Sequence, residues 1–471
     1  MWAVKSKIVT KTRKFMKNSE GRVNFGSRLG AILAAAGSAV GLGNVWRFPY
    51  ETGNHGGAAF ILIYVGLVFL FGLPIMIAEF TIGRRAKAST GEAYRVLAPG
   101  TQWKWVGYLG VLTGFLILGY YSVVSGWTLE YIYQALTGGL ADKTPAGYIQ
   151  MFDDFSAGSF RPLLWLAVFL FITHYVVAKG VKDGIERSAK ILMPALFVLV
   201  VILACCSVSL PGAEKGISFL LKPDFSKVTA DVFLGAMGQA FFSLSLGMGC
   251  LSTYASYFGP NTRLGATAMS VGLIDTFVAI LSGLIIFPAA FAVGINPDAG
   301  PSLIFITLPN VFQQAFAGIP VMAVLCSVAF YVLLALAALT STISLHEVST
   351  AFLCEKFGFT RGRAATLVTS GCVIVGVVSS LSLGVWKHFT IGGLEIFSAL
   401  DFLTAKIMLP TGAMLSAIFV GWVLDRKLVR DEVTNYGQLR GSYYPVYINV
   451  LRFVAPIGIA VIFLNELGLL G

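Results

Sequence analysis

The first long apolar run of this chain is interrupted where a membrane helix should be regular. Within residues 28–54 stands Gly37-Ser38-Ala39-Val40-Gly41-Leu42-Gly43-Asn44-Val45-Trp46-Arg47-Phe48-Pro49. Each glycine costs a helix interior about 1 kcal/mol relative to alanine. The asparagine and arginine that follow are expensive in hydrocarbon. Irregular backbone at membrane depth survives only where it lines a cavity or is buried in protein. The stretch therefore predicts a binding site built from a broken helix.

The surrounding composition supplies the membrane. Of 471 residues, 56% are hydrophobic and 12% charged, which is the profile of a polytopic membrane protein with the lipid bilayer as its solvent. The net charge of +11 does not imply nucleic acid, because the basic residues crowd before the first span, from Lys5 to Arg28. That placement follows the positive-inside rule. The first apolar run leads into the glycine break rather than to a small-residue cleavage site, so no cleavable signal peptide is expected. The six cysteines show neither metal-ligand nor disulfide spacing and read as small buried hydrophobes.

A span needs about 20 apolar residues. Eleven segments qualify, near 28–54, 57–83, 105–137, 161–180, 187–210, 232–257, 262–294, 320–355, 363–384, 391–424 and 446–469. Arginine and lysine concentrate in the loops after the second, fourth, eighth and tenth segments, which predicts a cytoplasmic N-terminus and an extracytoplasmic C-terminus. The expected fold class is all-α, multi-pass, in the cell's inner (plasma) membrane. Its expected divisions are 1–27 as a cytoplasmic segment, 28–210 and 211–424 as inverted repeats, and 425–471 as a loop with the eleventh span.

A second break lies in the sixth segment, Ser243-Leu244-Ser245-Leu246-Gly247-Met248-Gly249. Interrupted helices in corresponding positions of two halves point to a transporter's substrate site. Close helix packing through small residues is the alternative use of such glycines.

With these motifs in order, the chain resembles the neurotransmitter:sodium symporter family. The resemblance rests on Gly37 to Pro49, on Gly72-Leu73-Pro74 with Glu79 and Gly83-Arg84, on Tyr120-Tyr121, on Gln239 to Ser245, and on Leu339-Thr340-Ser341. It runs from about residue 22 through the last segment and is similar to the bacterial eleven-span amino-acid symporters. What it implies is a 5+5 inverted repeat with broken first and sixth helices, and a transporter rather than an enzyme. The cargo would be an amino acid and two sodium ions. Oligomeric state does not follow from the sequence.

By the resemblance, the first sodium site takes the Ala39 carbonyl, Asn44, Ser243 and Asp275, completed by the substrate carboxylate. The second takes carbonyls of Gly37, Val40 and Ala337 with the hydroxyls of Thr340 and Ser341. Ala337, Thr340 and Ser341 share one helix face, although the two hydroxyls could equally back-bond to the preceding turn. The substrate would lie among Ser38, Ala39, Gly41, Leu42, Gly43, Ile117, Tyr121, Phe242, Ser243, Ser245, Met248, Ser341 and Leu345. The substrate side chain would face Ile117, Phe242, Met248, Ser341 and Leu345, which are mostly apolar, and Met248 is adaptable, so hydrophobic or aromatic L-amino acids are expected. Asp275 stands where many members carry asparagine, and the residue one turn on is Ala279 rather than serine. Its fixed negative charge is expected to make transport independent of chloride. Gates are implied at Arg47 with Asp401 outside and Arg22 with Glu355 inside.

Other readings remain open at this point: a proton-coupled amino-acid permease of the same architecture, a membrane enzyme, or a binding protein that does not transport. Thr340 and Ser341 disfavour the first, and the lack of any Ser-His, Cys-His or metal arrangement disfavours the second. His174, His346 and His388 read as scattered and near span ends. Glu79 reads as a brace for the sixth-segment break.

Overall fold

The computed structural model describes residues 24–141, 143–294 and 303–466. The first segment is two helices, α1 (Arg28–Ala39) and α2 (Gly43–Asn54), meeting at 53°. Ser27 caps α1 by accepting the Gly30 N–H at 3.0 Å, which satisfies one of the free donors of a helix start. The chain leaves α1 at Val40, whose backbone is extended. It re-enters as a π-turn over Gly43–Arg47, a widened helix of the kind common at functional sites.

Next come α3 (Ala58–Ala86), α4 (Lys104–Leu136), α5 (Arg161–Ala178) and α6 (Val181–Val208). The sixth segment is again two helices, α7 (Ala230–Ser243) and α8 (Cys250–Ala255). Then follow α9 (Leu264–Ala292), α10 (Pro320–Phe357), α11 (Arg361–Ser382), α12 (Ile396–Val423) and α13 (Tyr444–Asn465). Among the described residues nine helices are long and apolar enough to cross a bilayer unbroken, and the bent pair α1–α2 makes a tenth. At 14 and 6 residues, α7 and α8 are each too short to span. The eleven-segment reading counts them as one interrupted crossing. At 38 residues, α10 is about 57 Å long at 1.5 Å per residue, so it tilts or protrudes from a core of about 30 Å.

The packing places the first break at the centre. α1 lies against α6, α9 and α10, while α7 rests on the start of α3 and α8 on its end. Apolar surface drives little association in lipid, and small residues let backbones approach instead. At Gly126 a methyl group would stand 2.8 Å from the Leu166 nitrogen, so α4 and α5 touch backbone to backbone there. Gly247 is held twice: its φ is +85°, and an added Cβ would run into the Leu409 carbonyl of α12. Of the six cysteines, Cys250, Cys326 and Cys372 are buried, whereas Cys205 lies exposed on the outer face of α6.

Candidate functional site

The two breaks face each other. Ser245, in the unwound stretch after α7, donates its hydroxyl to the Ser38 carbonyl at 2.8 Å. Gln239 reaches the Gly43 carbonyl at 3.4 Å. Glu79 of α3 accepts the Gly247 N–H at 2.7 Å, so a buried carboxylate satisfies a donor that the broken helix leaves free. The bracing role expected of Glu79 is the one it has.

Two polar clusters flank this junction. In the first, Asn44 donates from Nδ2 to Asp275 Oδ1 at 2.7 Å and to Ser243 Oγ at 3.1 Å. The Ser243 hydroxyl lies 3.0 and 2.9 Å from the two Asp275 carboxylate oxygens, and Asn44 Oδ1 accepts the Gly41 N–H at 2.9 Å. Asn44 and Asp275 are fully buried and Ser243 nearly so, in a bilayer region where unpaired polar groups cost several kcal/mol. In the second cluster, Thr340 Oγ1 lies 2.9 Å from the Ala337 carbonyl and 3.3 Å from that of Val40. Ser341 Oγ is 3.4 Å from the Val40 carbonyl. Of the two uses weighed from sequence, back-bonding is seen at Thr340, whose hydroxyl bonds its own helix and also faces the break. Gly37 packs on Thr340, whose Cβ is 3.2 Å from where a Gly37 side chain would begin.

Between the clusters, the Leu42 N–H donates to the Tyr121 hydroxyl at 3.1 Å. A methyl at Gly41 would come within 2.6 Å of Ser341 Oγ, and one at Gly43 within 2.8 Å of the Phe242 ring. Ala39, Ile117, Met248 and Leu345 are buried in the same apolar core. The Arg47 guanidinium sits 4.7 Å above the centre of the Phe242 ring, a cation–π placement.

The expected outer gate contact differs. Arg47 is not ion-paired with Asp401: its partner is Glu51 at 3.5 Å, one turn on in its own helix. Asp401 instead accepts from the Tyr120 hydroxyl at 3.1 Å. Glu355 accepts the N–H and hydroxyl of Ser89 at 2.8 and 2.7 Å, and Arg22 lies outside the described residues. Two of the histidines read as scattered lie together. His346 is fully buried in α10 and shares the Thr369 hydroxyl with His174, at 2.9 and 3.0 Å. Residues far apart along the chain meet because α5, α10 and α11 converge there.

Sequence reasoning missed two participants. The Tyr64 hydroxyl of α3 donates to Asp275 Oδ2 at 3.2 Å. The fully buried Glu347 of α10 is paired with Arg361 at 2.5 Å and accepts from Tyr257 at 2.6 Å. Glu347 carried a usable signal, an acid inside an apolar segment. Tyr64 carried none, being one of 17 tyrosines.

A model of the sodium:neurotransmitter symporter family matches residues 22–150 and 148–469. The chain belongs to the sodium:neurotransmitter symporter family. A sodium-dependent transporter of Bacillus subtilis is 37% identical over 450 residues, covering 95% of this chain and 98% of the relative. One from Haemophilus influenzae is 37% identical over 462 residues, covering 96% and 99%. The crystal structure of MhsT in complex with L-phenylalanine superposes with a TM-score of 0.86 at 46% identity, covering 95% of this chain and all of that one. The protein is therefore a multi-pass membrane transporter of a sodium-dependent symporter family, not an enzyme.

Proposed function

We propose that this symporter imports hydrophobic or aromatic L-amino acids together with two sodium ions, by alternating access and without chloride. The observation that carries the reading is the pairing of two oxygen-rich clusters on either side of the facing helix breaks. Sodium prefers hard oxygen ligands. Asn44, Ser243 and Asp275, with the Ala39 carbonyl and the substrate carboxylate, would hold one ion. The carbonyls of Gly37, Val40 and Ala337 and the hydroxyls of Thr340 and Ser341 would hold the other.

The substrate's ends follow from the polarity of the breaks. The start of α2 offers amides to a carboxylate, in keeping with the positive end of a helix. The Tyr121 hydroxyl, already accepting from Leu42, has its own proton to give. Backbone carbonyls of the breaks near Ala39, Phe242 and Ser245 would take the ammonium. Ile117, Phe242, Met248 and Leu345 would enclose the side chain, and the L-phenylalanine bound by the similar MhsT supports an apolar cargo. Phe242 with Arg47 over its ring would form the outer lid. The basic loops support a cytoplasmic N-terminus and an extracytoplasmic C-terminus. The two broken segments would head inverted repeats at 28–210 and 211–424.

The deciding experiment is uptake of radiolabelled L-phenylalanine into proteoliposomes under an inward sodium gradient, with unlabelled amino acids as competitors. Leucine, methionine, tyrosine and tryptophan are expected to compete, and glutamate and lysine to fail. Uptake that follows only a pH gradient overturns the sodium coupling.

A further inference from the structure

Where α12 ends, its lipid-facing wall carries a cation held in place by the backbone. Arg452 lies eight residues into α13, about 12 Å from its start at Tyr444 at 1.5 Å per residue. Its Nε donates to the Gly421 carbonyl at 2.6 Å, and the Trp422 indole N–H donates to the Arg452 carbonyl at 3.1 Å. Gly421 admits the arginine stem, since a Cβ there would stand 3.1 Å from Arg452 Cγ. The guanidinium lies 5.2 Å from the centre of the Trp422 ring, which meets Phe453 edge-on at 5.4 Å. Trp422 is 55% exposed and Phe453 50%. Both sit on helices that cross the bilayer, so lipid covers this surface and only the identity of its headgroup is open.

Two further arginines stand at the same end. The short helix Arg426–Val433 lies between α12 and α13, and its exposed Arg426 and Arg430 are one turn apart on one face. The Tyr444 hydroxyl donates to the Arg426 carbonyl at 3.0 Å, which ties this helix to the start of α13. Arg426, Arg430, Arg452 and Asp425 all lie within electrostatic reach of that hydroxyl. Asp425 is occupied as a helix cap, accepting the N–H groups of Lys427 and Leu428 at 2.7 and 3.3 Å, and Glu432 is paired with Arg84. Among the described residues none of the three arginines has an ion-pair partner within 4.0 Å. In water that would be ordinary. Arg452 differs, because a cation inside a membrane span is costly unless an anion or water reaches it. Its stem can carry the charge to the interface, and a tryptophan at a helix end marks the headgroup level.

We propose that the cleft between the end of α12, the start of α13 and helix Arg426–Val433 binds the phosphate of an anionic phospholipid such as phosphatidylglycerol. The terminal nitrogens of Arg452 hold the phosphate oxygens, a pairing that guanidinium geometry favours. Arg426 and Arg430 add positive charge from the water side, and the rings of Trp422 and Phe453 pack on the acyl chains. The cleft opens on the face that carries the basic loops, where basic pockets between spans take acidic headgroups.

The test is native mass spectrometry of the full-length protein in detergent, titrated separately with phosphatidylglycerol, with phosphatidylcholine of the same acyl chains, and with inorganic phosphate. The first phosphatidylglycerol is expected to bind roughly tenfold more tightly than phosphatidylcholine, as for one charge-assisted hydrogen bond. Arg452→Gln is expected to weaken phosphatidylglycerol binding about tenfold, and the double variant Arg426→Gln, Arg430→Gln about fivefold. Phosphatidylcholine binding is expected to be unchanged in both. Arg452→Gln decides the matter if its melting temperature in detergent matches the wild type. If it melts early, the double variant, altered only at exposed side chains, decides instead. Selectivity for phosphatidylglycerol that falls in the deciding variant supports the proposal. Equal binding of the two lipids by the wild type, or full selectivity in the deciding variant, overturns it. Inorganic phosphate binding as tightly as the lipid also overturns it, since the cleft would then hold a free anion.

Discussion

Asn44 Nδ2 lies 2.7 Å from Asp275 Oδ1, joining residues 231 positions apart at the point where the first helix break meets α9. Three side-chain donors converge on this one carboxylate: Asn44, Ser243 and Tyr64. On the chloride-independent reading proposed above, a fixed charge so placed would replace the negative charge an external anion would bring. Uptake by the wild-type protein is therefore expected to be unchanged when gluconate replaces chloride, and a collapse in rate would refute the assignment. Asp275→Asn is expected to lower uptake tenfold or more, in line with about 1.5–3 kcal/mol for hydrogen bonds to a charged group. What remains should become chloride-stimulated.

Thr340→Val preserves shape and removes a hydroxyl that lies 3.3 Å from the Val40 carbonyl. Loss of one ligand of about 1 kcal/mol or somewhat more should raise the sodium concentration for half-maximal uptake roughly 5- to 10-fold. Initial rates across a sodium titration measure it, and an unchanged midpoint removes Thr340 from the ion site.

Glu79 separates charge from hydrogen bonding. Glu79→Gln retains an oxygen for the Gly247 N–H, now 2.7 Å away, and should keep most of the thermal stability. Glu79→Leu strands that donor in the membrane interior at a cost of about 1–3 kcal/mol. The leucine variant is expected to melt several degrees lower than the glutamine variant in a detergent thermal-shift assay. Equal melting would show that the brace is dispensable.

Gly43→Ala would set a methyl 2.8 Å from the Phe242 ring. Overpacking of this kind costs about 1–3 kcal/mol and displaces the ring beneath Arg47. The expected result is a raised KM for the amino acid with the sodium dependence preserved. A shift confined to the sodium midpoint would instead place Gly43 outside the substrate pocket.

Much of this protein is readable along its chain. A long apolar run has few solutions in lipid, because every backbone polar group must be satisfied internally. The positions of the spans and the breaks at Gly37–Gly43 and Ser243–Gly249 follow from that constraint alone. One helical period also puts Ala337, Thr340 and Ser341, the oxygens proposed for an ion site on the strength of the resemblance, on a single face. The tertiary structure decided which distant groups meet. Tyr64 reaches Asp275, and His174 and His346 share Thr369. It also gave Arg47 to Glu51 and the Phe242 ring rather than to Asp401. Local periodicity assigns a residue to a face of its own helix, but the neighbour that face meets depends on how helices cross. In lipid those crossings are set by the close packing of small residues, such as Gly126 against Leu166, and by interhelical hydrogen bonds, neither of which is written in the hydrophobic pattern.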